Sequence, residues 1–204
     1  MNINDFKPLN INPLDIFKLQ QELKFQFEPQ AKEDFRKFDI DTFESQEVIR
    51  KYAWRITEEV TEMLEAYYHD ALPGEKEHVY EEAIDAFNFF IELCCLVGYT
   101  PEKMGPFKSI KECKRPVYGT MTPDPEECAL EIVYRLGMVC NHLKSREWRR
   151  SQYLVDLYRF WPDYEKLWVA FMELFACFGW TEEDVAEKYS LKYQVNKFRI
   201  ETSY

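Results

Sequence analysis

The chain has 204 residues, with 26 Lys and Arg against 37 Asp and Glu and a formal net charge of −11. That length supports a full apolar core, and the acidity repels a phosphate backbone, so nucleic acid is not an expected partner. Hydrophobic residues at 46% and aromatics at 17% exclude a disordered acidic chain, and six Gly with ten Pro are too few for the turns of an all-β sandwich.

The expected class is therefore all-α, a helical bundle in one domain over residues 1–204. Its first helix is announced by Asn12 as cap and Pro13 at the first position, running to about Phe25. A polar stretch leads to a long helix from about Ser45 to Ala71, with Val48, Tyr52, Ile56, Val60, Met63, Leu64 and Tyr67 at helical spacing. Pro73-Gly74 ends it, and the next helix, about Glu75 to Val97, stops at Gly98. A proline-rich segment, about 101–123, reads as an irregular connector. Helix resumes at Asp124-Pro125, with Glu127 placed for a capping box, and runs to about Leu143. Two helices are predicted next, Ser151 to Phe160 and Pro162 to Phe178, separated by the proline. Thr181 with Asp184 then opens a last helix towards about Leu191. The five tryptophans, Trp54, Trp148, Trp161, Trp168 and Trp180, are expected in core or interface.

The six cysteines contain no C-x-x-C pair and read as reduced thiols. Met1 to Leu9 lacks a cationic start and an apolar h-region, and no run approaches 18 uninterrupted apolar residues. A cytoplasmic protein without a membrane partner is expected. An internal echo links Phe90 to Thr100, FIELCCLVGYT, with Phe171 to Thr181, FMELFACFGWT, at an offset of 81 residues. Shared helix-end punctuation could produce part of it, while duplication would pair residues 44–100 with 124–181. The same offset carries Glu82 and Asp85 to Asp163 and Lys166, so a second copy has lost the acidic pair.

Two acidic pairs carry the chemistry. Glu59-x-x-Glu62 lies on the long helix and Glu82-x-x-Asp85 on the next, with 19 residues between Glu62 and Glu82. Residues three apart share a helix face, so an antiparallel hairpin brings four carboxylates towards one volume. Their repulsion would be relieved by a hard divalent cation, Mg²⁺ or Mn²⁺. An arbitrary E-x-x-E is ordinarily solvated surface. Here no Lys or Arg stands four residues onward, since Met63, Ala66, Ala86 and Phe89 occupy those places, and the acids border the apolar stripe. Spacing alone leaves a metal site and an acidic face both open. A di-iron bundle requires two Glu-x-x-His motifs, and the chain offers one, Glu75 to His78. His69 and His78 read as exposed helix-end residues. Tyr189, Lys192, Asn196, Arg199 and Tyr204 fall where the last helix is expected to fray into a tail, interleaving cations, an amide and phenols that can hold phosphate oxygens.

Together these residues resemble the all-α nucleoside triphosphate pyrophosphatases, specifically the dimeric dUTPase family, relatives of MazG-type enzymes. Phe17-Lys18-Leu19-Gln20-Gln21-Glu22-Leu23 is similar to the family's L-Q-x-x-L-N segment, the acidic quartet to its metal signature, and Tyr189 through Tyr204 to its C-terminal motif. The resemblance implies a four-helix metal-binding core, a homodimer, and Mg²⁺-dependent conversion of a nucleoside triphosphate to monophosphate and pyrophosphate. Glu59, Glu62, Glu82 and Asp85 would bind the metal, with Glu59 also orienting or deprotonating the water. Gln21 would face the base, Lys192 and Arg199 the phosphates, and Asn196 and Tyr204 the sugar or phosphates. Asn88, where the family often has His, joins the substrate-binding set. Lys24 replaces the family's Asn, and Tyr193, Ile200 and Ser203 stand where Asn, Gln and Gly are expected. With base contacts altered and the quartet intact, dUTP, dCTP and dTTP are the candidate substrates. The alternatives are a broad MazG-like housecleaning hydrolase and a nucleotide-sensing or protein-binding module. Small chains of this kind are also familiar from phages, for which the site of action would be the host cytoplasm.

Overall fold

A computed structural model describes residues 6–27, 37–69, 76–104, 107–113, 124–145 and 154–202. All regular structure among them is helical. A short 3-10 turn, Pro13–Asp15, leads into α1, Ile16–Phe27, and the Asp15 carboxylate accepts the Asn12 backbone N–H at 3.2 Å. α2, Phe43–His69, buries Ile49, Ala53, Ile56, Val60, Met63 and Ala66, at the three- and four-residue intervals of one helix face. α3 is Lys76–Val97. The Pro73-Gly74 turn and Glu75 lie outside the described residues.

The connector is less irregular than expected. It contains two single helical turns, α4 at Pro101–Met104 and α5 at Ile110–Cys113. Ile110 and Cys113, three apart, are both buried, and that burial offsets the cost of so short a helix. α6, Pro125–His142, starts where Asp124 accepts the Glu127 N–H at 2.9 Å.

The expected break at Pro162 does not occur: one helix, α7, runs Leu157–Cys177 with the proline inside it. Pro162 withholds a hydrogen bond from the Tyr158 carbonyl, but both residues are exposed, so water reaches the orphaned oxygen. Meanwhile Phe160, Tyr164 and Leu167, on the opposite face, are fully buried and hold the helix continuous.

The last helix, α8, Glu182–Glu201, extends ten residues beyond the predicted end. Thr181 and Asp184 form the expected reciprocal cap, at 2.8 and 3.2 Å. Burial of Tyr189, Lys192 and Tyr193 then keeps the segment helical where a frayed tail was expected.

Helices α2 and α3 form one hairpin, α6 and α7 a second; α2 packs on α6, while α1 lies against α3 and α8. The hairpins end alike. Gly98 and Gly179 have φ of 79° and 77°, and the Tyr99 and Trp180 N–H groups donate to Cys94 and Phe175 carbonyls at 2.8 and 3.0 Å. Residues 81 apart also meet across the centre. Phe90 stacks on Phe171 with centroids 4.9 Å apart, and Phe87 lies 5.9 Å from Trp168. The cross pairs are reciprocal, Phe87 with Phe171 at 5.4 Å and Phe90 with Trp168 at 6.3 Å. Like units packed about a two-fold axis give this pattern, each residue touching its own equivalent. Among the tryptophans, Trp168 and Trp180 are buried and Trp161 partly so, whereas Trp54 is 64% exposed and donates to Glu58 at 2.8 Å. Trp148 lies outside the described residues. No disulfide joins the six cysteines, and no described helix is long and apolar enough to cross a membrane.

Candidate active site

The α2–α3 hairpin places carboxylate oxygens of Glu59, Glu82 and Asp85 within 4.8 Å of one another. All three residues are half-buried, because each flanks its helix's core stripe without joining it. Glu62 lies three residues and therefore about 60° farther round α2 from Glu59, away from the core, and it is exposed. It stands outside the close trio, though its charge is felt at Glu59.

Electrostatics mark the trio as frustrated. Burial, then the negative charges of Asp85, Glu62 and Glu82, push the Glu59 carboxyl up to about 7. Burial raises Asp85 to about 6 against the opposing pull of Lys192. The Lys192 ammonium sits 2.5 Å from Asp85 Oδ2, and Asp85 Oδ1 is buried with no hydrogen-bond partner among the described residues. His78 Nε2 lies 2.9 Å from Glu82 Oε1. An all-oxygen donor set with mutual repulsion and a buried unpartnered oxygen fits a hard divalent cation such as Mg²⁺ or Mn²⁺.

One helical turn from the acids, about 5.4 Å along each helix, opens a cavity of about 500 Å³. α1 contributes Gln20, Leu23 and Lys24 to its walls, and α2 contributes Lys51, Tyr52 and Arg55. Asn88, Phe89 and Glu92 of α3 and Asn196 of α8 complete them. Glu92 organises the interior. Its Oε1 accepts from the Tyr52 hydroxyl and from Lys24 at 3.0 Å, while Oε2 accepts from Gln20 Nε2 at 3.2 Å. The buried Tyr189 hydroxyl donates to Gln20 Oε1 at 2.5 Å, tying α8 to the same network.

Asn88 and Asn196 thus line the cavity as predicted. Gln21 does not: it is turned by about 100° from Gln20 and its side chain meets the Cys95 thiol, leaving Gln20 to face the cavity. Arg199 is exposed, and with Lys192 and Asn196 it follows one stripe of α8 at intervals of four and three. Tyr204 lies outside the described residues. Glu92 and Tyr52 escaped the motif reading, although Glu92 continues the stripe Glu82, Asp85, Asn88 at the next helical step.

No curated protein and no solved structure matches the chain. A family model described as dUTPase does match, over residues 14–204. That span takes in the acidic trio, the cavity and every described element of α1 to α8. Matched over nearly its whole length, the chain belongs to the dUTPase family, as an all-α hydrolase of nucleoside triphosphates.

Proposed function

We propose that the chain converts a deoxynucleoside triphosphate, dUTP first and dCTP or dTTP as alternatives, to the monophosphate and pyrophosphate, using Mg²⁺ or Mn²⁺. The observation that carries this reading is adjacency: an acidic trio and a cavity lined by amides and cations share one helix hairpin. Glu59, Glu82 and Asp85 hold the metal, with Glu62 reaching in from the rim. The bound cation offsets phosphate charge and makes the phosphorus a better electrophile.

The chain's own groups do the rest. Asn88 and Asn196 hydrogen-bond the sugar or base edge, Phe89 supplies an apolar wall, Lys51 and Arg55 line the cavity as cations for phosphate charge, and Arg199 is assigned to the phosphates by family resemblance. Tyr204 is assigned to the phosphates by family resemblance. Glu59 accepts the proton as the water oxygen bonds to phosphorus and the phosphoanhydride bond opens. Lys24 in place of an amide favours testing several bases. Pyrophosphate release from dUTP, dCTP, dTTP, dATP and dGTP, with Mg²⁺ and with EDTA, decides the matter. Metal-dependent turnover of one pyrimidine supports the reading, equal turnover of all five favours the broad hydrolase, and none favours a binding module.

The same reading includes a homodimer in the cytoplasm and two hairpins descended from one unit. The exposed row Leu130, Val133 and Tyr134 on α6, at intervals of three and one, supports a second copy as its cover. The contact of equivalents at Phe90 and Phe171 supports the duplication.

A further inference from the structure

The family resemblance assigns Lys192 to phosphate, yet its ammonium is spent elsewhere. Its side chain is 9% exposed, with Nζ 2.5 Å from Asp85 Oδ2 and 3.7 Å from Glu81 Oε1. A lysine so buried persists only when paired, and here both partners belong to α3, Asp85 within the trio and Glu81 next to Glu82 in the chain. Asp85 has one oxygen held by this contact while Oδ1, buried and without a hydrogen bond among the described residues, keeps its capacity for a cation.

We propose that Lys192 is the resident counter-ion of the acidic cluster, a positioning residue that keeps the metal-free site folded and limits how tightly the site takes a divalent cation. The inference rests on the reading of Glu59, Glu82 and Asp85 as a metal site. Two consequences follow from charge alone. With the ammonium gone, the metal-free cluster holds one more uncompensated negative charge, and an incoming dication no longer meets a cation beside Asp85. A lysine reserved for phosphate and standing clear of the carboxylates in the nucleotide-free protein would affect neither quantity.

The test uses metal-stripped full-length protein, wild type, Lys192→Met and Lys192→Arg, without nucleotide. Mn²⁺ affinity is measured by calorimetry and the thermal midpoint is measured in EDTA. Lys192→Met is expected to melt about 5 °C lower in EDTA and to bind Mn²⁺ about tenfold tighter, with Lys192→Arg returning both towards wild type. Unchanged midpoint and Mn²⁺ affinity, with weakened pyrophosphate binding, overturn the proposal in favour of a phosphate ligand. Weaker Mn²⁺ binding by Lys192→Met also overturns it. Should Lys192→Met fail to fold, the double variant with Asp85→Asn removes both charges and is expected to restore folding; its failure to do so refutes the pairing. Absence of Mn²⁺ binding by wild type defeats the metal-site reading instead, and the EDTA arm still decides whether Lys192 compensates the cluster.

Discussion

Metal-free protein should lose stability as pH rises through neutrality, and Glu59 should account for much of the slope. The Glu59 carboxyl stands at about 7 in the folded chain against an ordinary 4.5, and Asp85 at about 6 against 3.8. A folded-state value above the unfolded one means the protonated form is favoured by folding. The associated stability is fully present below about pH 4.5 and disappears as pH climbs through about 7. For Glu59 alone the rise corresponds to about 3 kcal/mol in a dry site. The residue is only half-buried, so solvent screening leaves about 1.5 kcal/mol. In a chain of this size that is roughly 3–6 °C in thermal midpoint. The assay is thermal melting in EDTA at several pH values from 5.5 to 8, for wild type and Glu59→Gln. Glu59→Gln should melt higher than wild type at pH 8, the gap should narrow steadily towards pH 5.5 without closing there, and saturating Mg²⁺ should flatten the wild-type slope. Because the whole chain carries a net charge of −11, a general alkaline decline is common to both proteins. Parallel curves in EDTA would therefore falsify the frustrated-cluster account.

Pro162→Ala restores a hydrogen bond to the Tyr158 carbonyl at an exposed point of α7 and should stabilise the fold by about 1–3 kcal/mol in urea melts; destabilisation would mean that the proline ring packs usefully. Glu92→Gln removes the charge that holds Lys24 and Tyr52 in the cavity, so kcat/KM should fall about tenfold, mostly through KM. A fall carried by kcat would place Glu92 nearer the reacting atoms. Leu130→Glu puts a charge into the exposed apolar row of α6 and should convert a dimer to monomer in light scattering; an unchanged mass removes this face from the interface.

What the sequence made legible was local. Asp124, Thr181, Gly98 and Gly179 act through neighbours a few residues away, and the structure has their caps and helix ends where expected. Three of the four motif acids converge because three- and four-residue spacing encodes a face. The departures arise where distant packing decides. Pro162 breaks a local rule that Phe160 and Tyr164 override by burial, and α8 continues past Leu191 because Lys192 reaches Asp85 on α3 and Tyr193 reaches Glu22 on α1. Gln20 and Gln21 differ by one step of phase, which a motif containing both does not resolve. The partner of Lys192 lies 107 residues away in the chain, beyond any periodicity argument.

At the offset of 81 residues the two hairpins differ in how their buried acids are compensated. The sequence offset that matches Phe90 with Phe171 carries Glu82 to Asp163, Asp85 to Lys166 and Glu59 to Cys140. Asp163 is buried, but its Oδ2 meets His142 Nε2 at 2.7 Å, and its Oδ1 accepts from Lys166 at 3.0 Å and Arg135 at 3.4 Å. Burial would raise its pKa; the hydrogen bonds from His142 and Lys166 outweigh that and hold it below the ordinary carboxylate value. Compensation thus comes from within the second hairpin, through His142, Arg135 and Lys166, whereas Asp85 in the first pairs with Lys192 of α8. Asp163→Asn should consequently cost about 1–3 kcal/mol, by leaving buried donors without their charged acceptor. The loss should be the same in EDTA and in Mg²⁺, with the metal-induced rise in thermal midpoint left at its wild-type size. Glu82→Gln, at the equivalent position, should abolish that rise instead. If Asp163→Asn also abolished it, the two hairpins would share one electrostatic centre, and the division of labour between them would be wrong.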